Sequence, residues 1–342
     1  MEQVDLRRYE AAGILGTGAD YEVRVAVDRA TGKQVVLKRP NPQTVRHQLH
    51  AGIEARTDRL LQAYEEVGHM IPTVTPIVGY TDRVNHDAYF GDTLGREYRV
   101  IVAERAAGIP LVGDPMARVL GVPIGIGQNL FALFPLVHTE SSPPFAIHQQ
   151  LLDLEEAFFR AGYVLLDLRP QNIFYQPAAG RIAAIDCGVL VGRHEESDHR
   201  GRPPRSIHDF YLEVLKFYTT PQQPPTQASG YWQPYGLRPV VSFEQELQQL
   251  AQNFQAFPDA MVRDAALTII GRLRRRAYAA FDDFREDLMA YLQAVRLSHQ
   301  ALPDAARQVW AEALDALRAE YWRRYLFDPE SELAGFTRAI PS

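Results

Sequence analysis

From Leu165 to Gly188 the chain reads LLDLRPQNIFYQPAAGRIAAIDCG. Asp167 is followed by Asn172, and Asp186 stands just before Cys187 and Gly188. Two apolar runs, Ile173 to Tyr175 and Ile182 to Ile185, flank a Pro/Gly turn from Pro177 to Gly180, a strand–turn–strand pattern. The outer ends of antiparallel strands meet, so Asn172 and Asp186 are expected side by side. An amide oxygen beside a carboxylate is a hard-oxygen set of the kind that holds Mg²⁺. Asp167, one loop earlier, is free to orient a hydroxyl. The chemistry these groups could perform is phosphoryl transfer.

That chemistry also needs a cation. Lys and Arg together number 36, yet lysine occurs only at Lys33, Lys38 and Lys216. Lys38 lies inside an apolar run, where a compact ammonium on a slim stem serves a tight phosphate site better than a planar guanidinium. Upstream, Leu15-Gly16-Thr17-Gly18 supplies two glycines whose missing Cβ atoms let backbone amides approach a phosphate. This turn enters a strand. A dinucleotide-binding turn would enter a helix, and is excluded.

The elements that must position these groups follow from periodicity. Val23, Val25 and Val27 alternate, as do the residues around Val35 and Leu37, and DRATGK (Asp28 to Lys33) joins them with Gly32 at a positive φ. Gln43 to Val67 predicts a helix with an internal Gly52 and an apolar face of Leu49, Ile53, Leu60, Leu61 and Tyr64. Strands are expected at Val74 to Tyr80 and Tyr98 to Glu104. Phe145 to Gly162 predicts a helix with Leu151, Leu154 and Phe158 on one face and Gly162 as its stop. Asp209 opens a further helix, Pro221 to Pro239 is a long Pro/Gln/Tyr-rich loop, and the chain is helical from Phe243. Residues 303 to 326 predict an added amphipathic helix carrying Trp310, Leu314, Leu317 and Tyr321.

DLRPQN followed by IDCG resembles the catalytic loop and metal motif of protein kinases, H-R-D-x-x-x-x-N and D-F-G. GTGADYEV resembles the family's Gly-rich loop and VVLK its strand lysine, in the family's order. Leu165-Leu166 stand where the family has His-Arg, Cys187 where it has Phe, and Tyr21 where it has a third glycine. The resemblance implies that Leu15, Gly16, Gly18 and Val23 cover ATP, and that Lys38 neutralises its α/β-phosphates. It implies that a helix glutamate steadies Lys38: Glu54, with Glu65, Glu66 and Asp58 as alternatives. Ala103 would gate the adenine pocket, and Glu104 to Ala106 would contact adenine through backbone groups. Asn172 and Asp186 would hold Mg²⁺, Asp167 would orient the attacking hydroxyl, and Arg169 would sit near the γ-phosphate.

Composition bounds the rest. The chain has 342 residues, 46% hydrophobic and 23% charged, the make-up of a soluble globular protein. A net charge of −6 gives no nucleic-acid surface, one cysteine suits a reducing cytoplasm, and the charged Met1 to Glu10 does not read as a secretion signal. Val119 to Val137 carries no formal charge and is long enough to span a bilayer, but Pro123, Pro135 and three glycines interrupt it, and a buried loop plus helix is expected instead. His194 and His199, with acids between them, read as a solvated loop rather than a metal site. Cys187 reads as a buried filler.

The expected fold is α+β and bilobal like a protein kinase, with a small antiparallel-sheet lobe bearing one helix and a larger, mainly helical lobe. The small lobe spans residues 1–108, the large lobe 109–300, and a helical extension 301–342. The function expected is that of an ATP- and Mg²⁺-dependent Ser/Thr protein kinase, cytoplasmic, with no nucleic-acid or membrane partner. The alternatives are a small-molecule kinase of the same fold and a nucleotide-binding pseudokinase. The segment between Asp186 and Asp209 is short and lacks A-P-E, which favours the small-molecule acceptor; the motif departures favour the pseudokinase.

Overall fold

The computed structural model describes residues 1–18, 20–43, 52–111, 118–119, 122–123, 145–176, 179–193, 206–218, 242–301 and short pieces between 304 and 334. It is a mixed α+β chain with an antiparallel-rich sheet at the N-terminal end and a helical C-terminal region. Contacts divide it into two compact units, Met1–Ala106 with Asp186–Leu190, and Ala107–Ile185 with Val191–Ser342.

The first unit is built on strands β1 (Glu2–Gln3), β2 (Tyr9–Thr17), β3 (Tyr21–Asp28), β4 (Gln34–Pro40), β5 (Ile77–Tyr80) and β6 (Ile101–Glu104). Their order is β1-β5-β6-β4-β3-β2, antiparallel except for the β1–β5 edge. The β3–β4 turn carries Gly32 at φ +70°, as its position in DRATGK requires. Leu6, Tyr9, Ala26, Val35, Leu37, Tyr98 and Val102 pack into one apolar cluster, closed by Phe90 from the short helix Asp87–Phe90.

Helix α1 (Ile53–Glu66) buries Ile53, Thr57, Leu60, Leu61 and Tyr64, a stripe with helical spacing. Gly52, expected inside the helix, is its N-cap at φ +92°. The earlier part of that expected helix, residues 44–51, lies outside the described residues. The strand expected over Tyr98 to Glu104 is broken. Tyr98 belongs to a separate two-stranded ladder with Val84–Asn85, and at Val100 the Thr81 hydroxyl accepts the backbone amide at 2.9 Å.

In the second unit, α2 (Ala146–Arg160) buries Ile147, Leu151, Leu154 and Phe158, and Gly162 follows its end at φ +95°. Burying each such side chain contributes about 1.5–3 kcal/mol. Strand β7 (Ile109–Pro110) pairs with β8 (Ile173–Gln176), which pairs with β9 (Arg181–Ala184) in the expected hairpin register, Ile173 opposite Ala184. Helices α3 (Ile207–Tyr218), α4 (Phe243–Gln255), α5 (Ala260–Arg274) and α6 (Phe281–Gln300) follow in the chain. Tyr211 stacks on Phe284 at 4.1 Å, with Tyr278 and Phe281 edge-on around it. Among the described residues no helix is long and apolar enough to cross a membrane. Most of Val119 to Val137, the Pro221 to Pro239 loop, the His194/His199 segment, and Trp310, Leu314, Leu317 and Tyr321 of the expected added helix lie outside the described residues.

Candidate functional site

Gly16, Val23 and Lys38 stand in one line across the sheet of the first unit. Gly16 is the register partner of Val23, and Val23 of Lys38. Register partners project from the same face of a sheet. Leu15 is half exposed beside them, and among the described residues a Cβ built on Gly16 would meet no atom within 4 Å. Gly18 turns the chain, its amide donating to the Tyr21 carbonyl at 2.8 Å.

The carboxylate that meets Lys38 is Asp186. Lys38 Nζ donates to Asp186 Oδ1 at 2.9 Å, although 148 positions separate them. Asp186 adopts φ 58°, a left-handed conformation that Asp tolerates better than most residues. Burial pulls its pKa up, but the charge and hydrogen bond of Lys38, with Arg56 nearby, leave it below the ordinary carboxylate value. The aspartate is therefore ionised near neutral pH, as a metal ligand must be.

The expected partnership of Lys38 with a glutamate of α1 is corrected. Glu54 gives its carboxylate to Arg96 at 2.6 Å. Of the alternatives, Asp58 pairs with Arg99 at 2.9 Å, Glu65 lies 3.8 Å from the terminal ammonium and Glu66 takes the Gln62 amide. The buried stripe of α1 carries Ile53 and Thr57 at that level, so a carboxylate one residue off the stripe is claimed by an arginine at its edge. The Tyr21 ring also lies near Lys38, its centroid 5.0 Å from Nζ.

Glu104 ends β6, exposed, with its amide donated to the Pro76 carbonyl at 2.8 Å and Ala103 buried before it. Ala106 is the last residue of the first unit before the chain passes into the second.

The second unit assembles Asp167, Arg169 and Asn172 on one loop. Arg169 Nε lies 2.6 Å from Asp167 Oδ1, and Asn172 Nδ2 donates to the Asp167 carbonyl at 3.0 Å. Pro170 opens the single 3₁₀ turn that presents Asn172. The ladder of the hairpin continues past its strands, the Ile185 amide donating to the Asn172 carbonyl at 2.8 Å. Asp167, like Asp186, holds a positive φ, 65°. Only Phe145 and Arg276 join them among described residues other than glycine. Left-handed backbone at a non-glycine residue is a cost that surrounding structure must hold in place, and it concentrates at functional positions.

Two glutamates hold this loop from below, and both escaped the sequence reading. Glu155 of α2 accepts the Leu165 amide at 3.1 Å, and Glu213 of α3 accepts the Asp167 amide at 2.8 Å. Burial, and then the charge of Glu213, raise the Glu155 carboxyl well above its ordinary value. Leu165, Leu166 and Leu168 are buried around these bonds. The signal was present: Glu155 falls on the stripe of Leu151 and Phe158. His148, also on α2, bonds the Tyr218 carbonyl at 2.9 Å, and burial lowers its pKa to about 4.

Within the first unit Asp186 offers carboxylate oxygens, and within the second Asn172 offers an amide oxygen; both are hard donors of the class that Mg²⁺ takes. Among the described residues no three His, Cys, Asp or Glu side chains cluster as a metal site by themselves. No protein-family model matches the chain, and no curated protein matches it.

Proposed function

We propose that this chain is an ATP- and Mg²⁺-dependent phosphotransferase of the bilobal protein-kinase type, acting on a Ser or Thr hydroxyl of a protein. The observation that carries the reading is the Lys38–Asp186 pair at 2.9 Å, formed between two motifs identified separately in the sequence. The line of Gly16, Val23 and Lys38 supports it, as do the left-handed conformations of Asp167 and Asp186.

In this reading Lys38 neutralises phosphate charge, and the Gly16 and Gly18 backbone leaves room for the phosphates. Asp186 and Asn172 hold Mg²⁺, which supplies charge neutralisation at the transferring phosphoryl group. Leu15, Val23, Glu104 and Ala106 contact the nucleotide base and ribose. Asp167 accepts the hydroxyl proton as the acceptor oxygen attacks, and Arg169, paired to it, faces the γ-phosphate. Catalysis of this kind is positioning plus electrostatics, which accords with acidic and basic side chains carried on hydrogen-bonded loops.

A second reading, transfer to a small-molecule hydroxyl, is favoured by the short stretch between Asp186 and Asp209. Incubation with radiolabelled ATP and Mg²⁺ separates the two. Label in the protein itself or in generic proteins supports the first, and label in a metabolite panel the second. Nucleotide binding with no transfer to any acceptor points to a regulator and ends the enzyme reading.

A further inference from the structure

Tyr21 is the residue the glycine-rich pattern did not call for. It is 5% exposed, although it opens β3 directly after the Gly18 turn. Its hydroxyl lies 2.8 Å from Thr57 Oγ1 on α1. Thr57 already donates its own hydroxyl proton to the Ile53 carbonyl at 2.9 Å, so Tyr21 is the donor in the pair. Burial pushes the Tyr21 phenol up, which keeps that proton in place. Beside it Asp20 pairs with Arg56, again on α1, at 2.6 Å. The turn is tied to the end of β4 as well, since Asn41 Nδ2 donates to the Gly18 carbonyl at 2.6 Å and the Asn41 amide to the Asp20 carbonyl at 2.9 Å.

Lys38 Nζ lies 5.0 Å from the centroid of the same ring. The lysine side chain is 12% exposed, so water screens this attraction little. Among the described residues the charged groups around the cluster are Asp186 on Lys38, with Asp20 and Arg56 beside the phenol.

We propose that Tyr21 is a positioning residue for Lys38: its ring steadies the ammonium that Asp186 also holds, and its hydroxyl couples the glycine-rich turn to helix α1 through Thr57. The ring and the α1 hydroxyl thus do jointly what a helix carboxylate was expected to do alone. The inference rests on the phosphotransferase reading only in treating Lys38 as the working cation.

The test uses the chain's scarcity of lysine. Lys33 is an exposed reference, and Lys216, bonded to Glu246 at 2.8 Å, reports on the helical unit. The full-length protein is treated with a succinimidyl acetate at fixed pH, and labelling of each lysine is followed by peptide mass spectrometry. Tyr21→Leu is expected to speed labelling of Lys38 about fivefold relative to the other two. Tyr21→Phe and Thr57→Val should leave Lys38 near the parent rate, while amide hydrogen exchange across residues 16–21 quickens roughly tenfold. Unchanged Lys38 labelling in Tyr21→Leu overturns the role of the ring. Unchanged exchange in both other variants overturns the coupling. Should Tyr21→Leu release Lys216 as well, its fold is lost and Tyr21→Phe decides: quickened exchange across residues 16–21 with Lys38 at the parent rate upholds the proposal, and unchanged exchange or a rise at Lys38 ends it. None of this needs nucleotide, so a chain that transfers no phosphate yet follows this pattern sinks the phosphotransferase reading and leaves the inference standing.

Discussion

Lys38 and Asp186 meet as ammonium and carboxylate at 2.9 Å, the lysine in the middle of a strand and the aspartate in a left-handed turn. Neither residue is placed there by its neighbours in sequence. The lysine is fixed by the β3–β4 and β4–β6 ladders, with Val23 and Ile101 as its register partners. A cation and an acid held this way neutralise each other until a ligand with more negative charge arrives, and can then share it.

Replacing the lysine should therefore do two things. Lys38→Met is expected to lower kcat/KM for ATP by about 10²–10³, the usual cost of one lost electrostatic donor at a transferring group. It also leaves burial as the main influence on Asp186, whose carboxyl then rises from its depressed value with only Arg56 opposing. Initial rates against ATP, with a pH profile of Mg²⁺-dependent nucleotide binding, check both. A variant with the parent profile would show that the pair is not the working centre.

Asp167→Asn should cut kcat by about 10²–10⁴ and leave the affinity for ATP nearly unchanged. The backbone bonds at the site involve the Asp167 amide and carbonyl, which the substitution keeps. The loop should therefore remain in place while the proposed proton acceptor is lost. Calorimetric titration with a non-hydrolysable ATP analogue, beside single-turnover kinetics, separates binding from transfer. Equal kcat in the two proteins removes Asp167 from the mechanism.

Glu54→Gln is expected to be nearly silent in kcat. Its carboxylate serves Arg96, whose side chain is 41% exposed, and such pairs are worth about 0–1 kcal/mol. A melting temperature lowered by at most a few degrees, with unchanged turnover, is the outcome anticipated. A fall in kcat of tenfold or more would restore the glutamate to the lysine's service.

What could be read in the sequence was what local pattern decides. The alternating valines, the Asp28 to Lys33 turn, the hairpin around Gly180 and the stripe of α2 all follow from short-range periodicity and turn chemistry. What could not be read depended on partners far along the chain. Arg96 reaches Glu54 across 42 positions, and Tyr21 reaches Thr57 across 36. The β1–β5 pairing escaped because Glu2–Gln3 is too short and polar to carry a pattern. The break at Val100 escaped because a threonine side chain takes over a backbone bond. Glu155 was legible in principle, since a lone carboxylate on an apolar stripe at helical spacing must be either misplaced or bonded.

That glutamate makes the stability of the helical unit depend on pH in a direction opposite to most carboxylates. Burial raises its carboxyl well above the ordinary value, so the folded chain keeps its proton while the unfolded chain releases it above about pH 4.3. The folded state then binds the extra proton. Its contribution is fully present below that pH and is lost at about 1.4 kcal/mol per pH unit as pH rises towards the folded value. His148 runs the other way: with a folded value of about 4, it penalises folding as pH falls from near 6.5. Glu155→Gln keeps an oxygen for the Leu165 amide and carries no titrating group. Urea denaturation in steps upward from pH 5 should show the parent losing stability relative to the variant as the pH rises towards the folded value of Glu155, the His148 contribution being common to both, and parallel curves throughout would mean that its carboxyl is not raised in the fold.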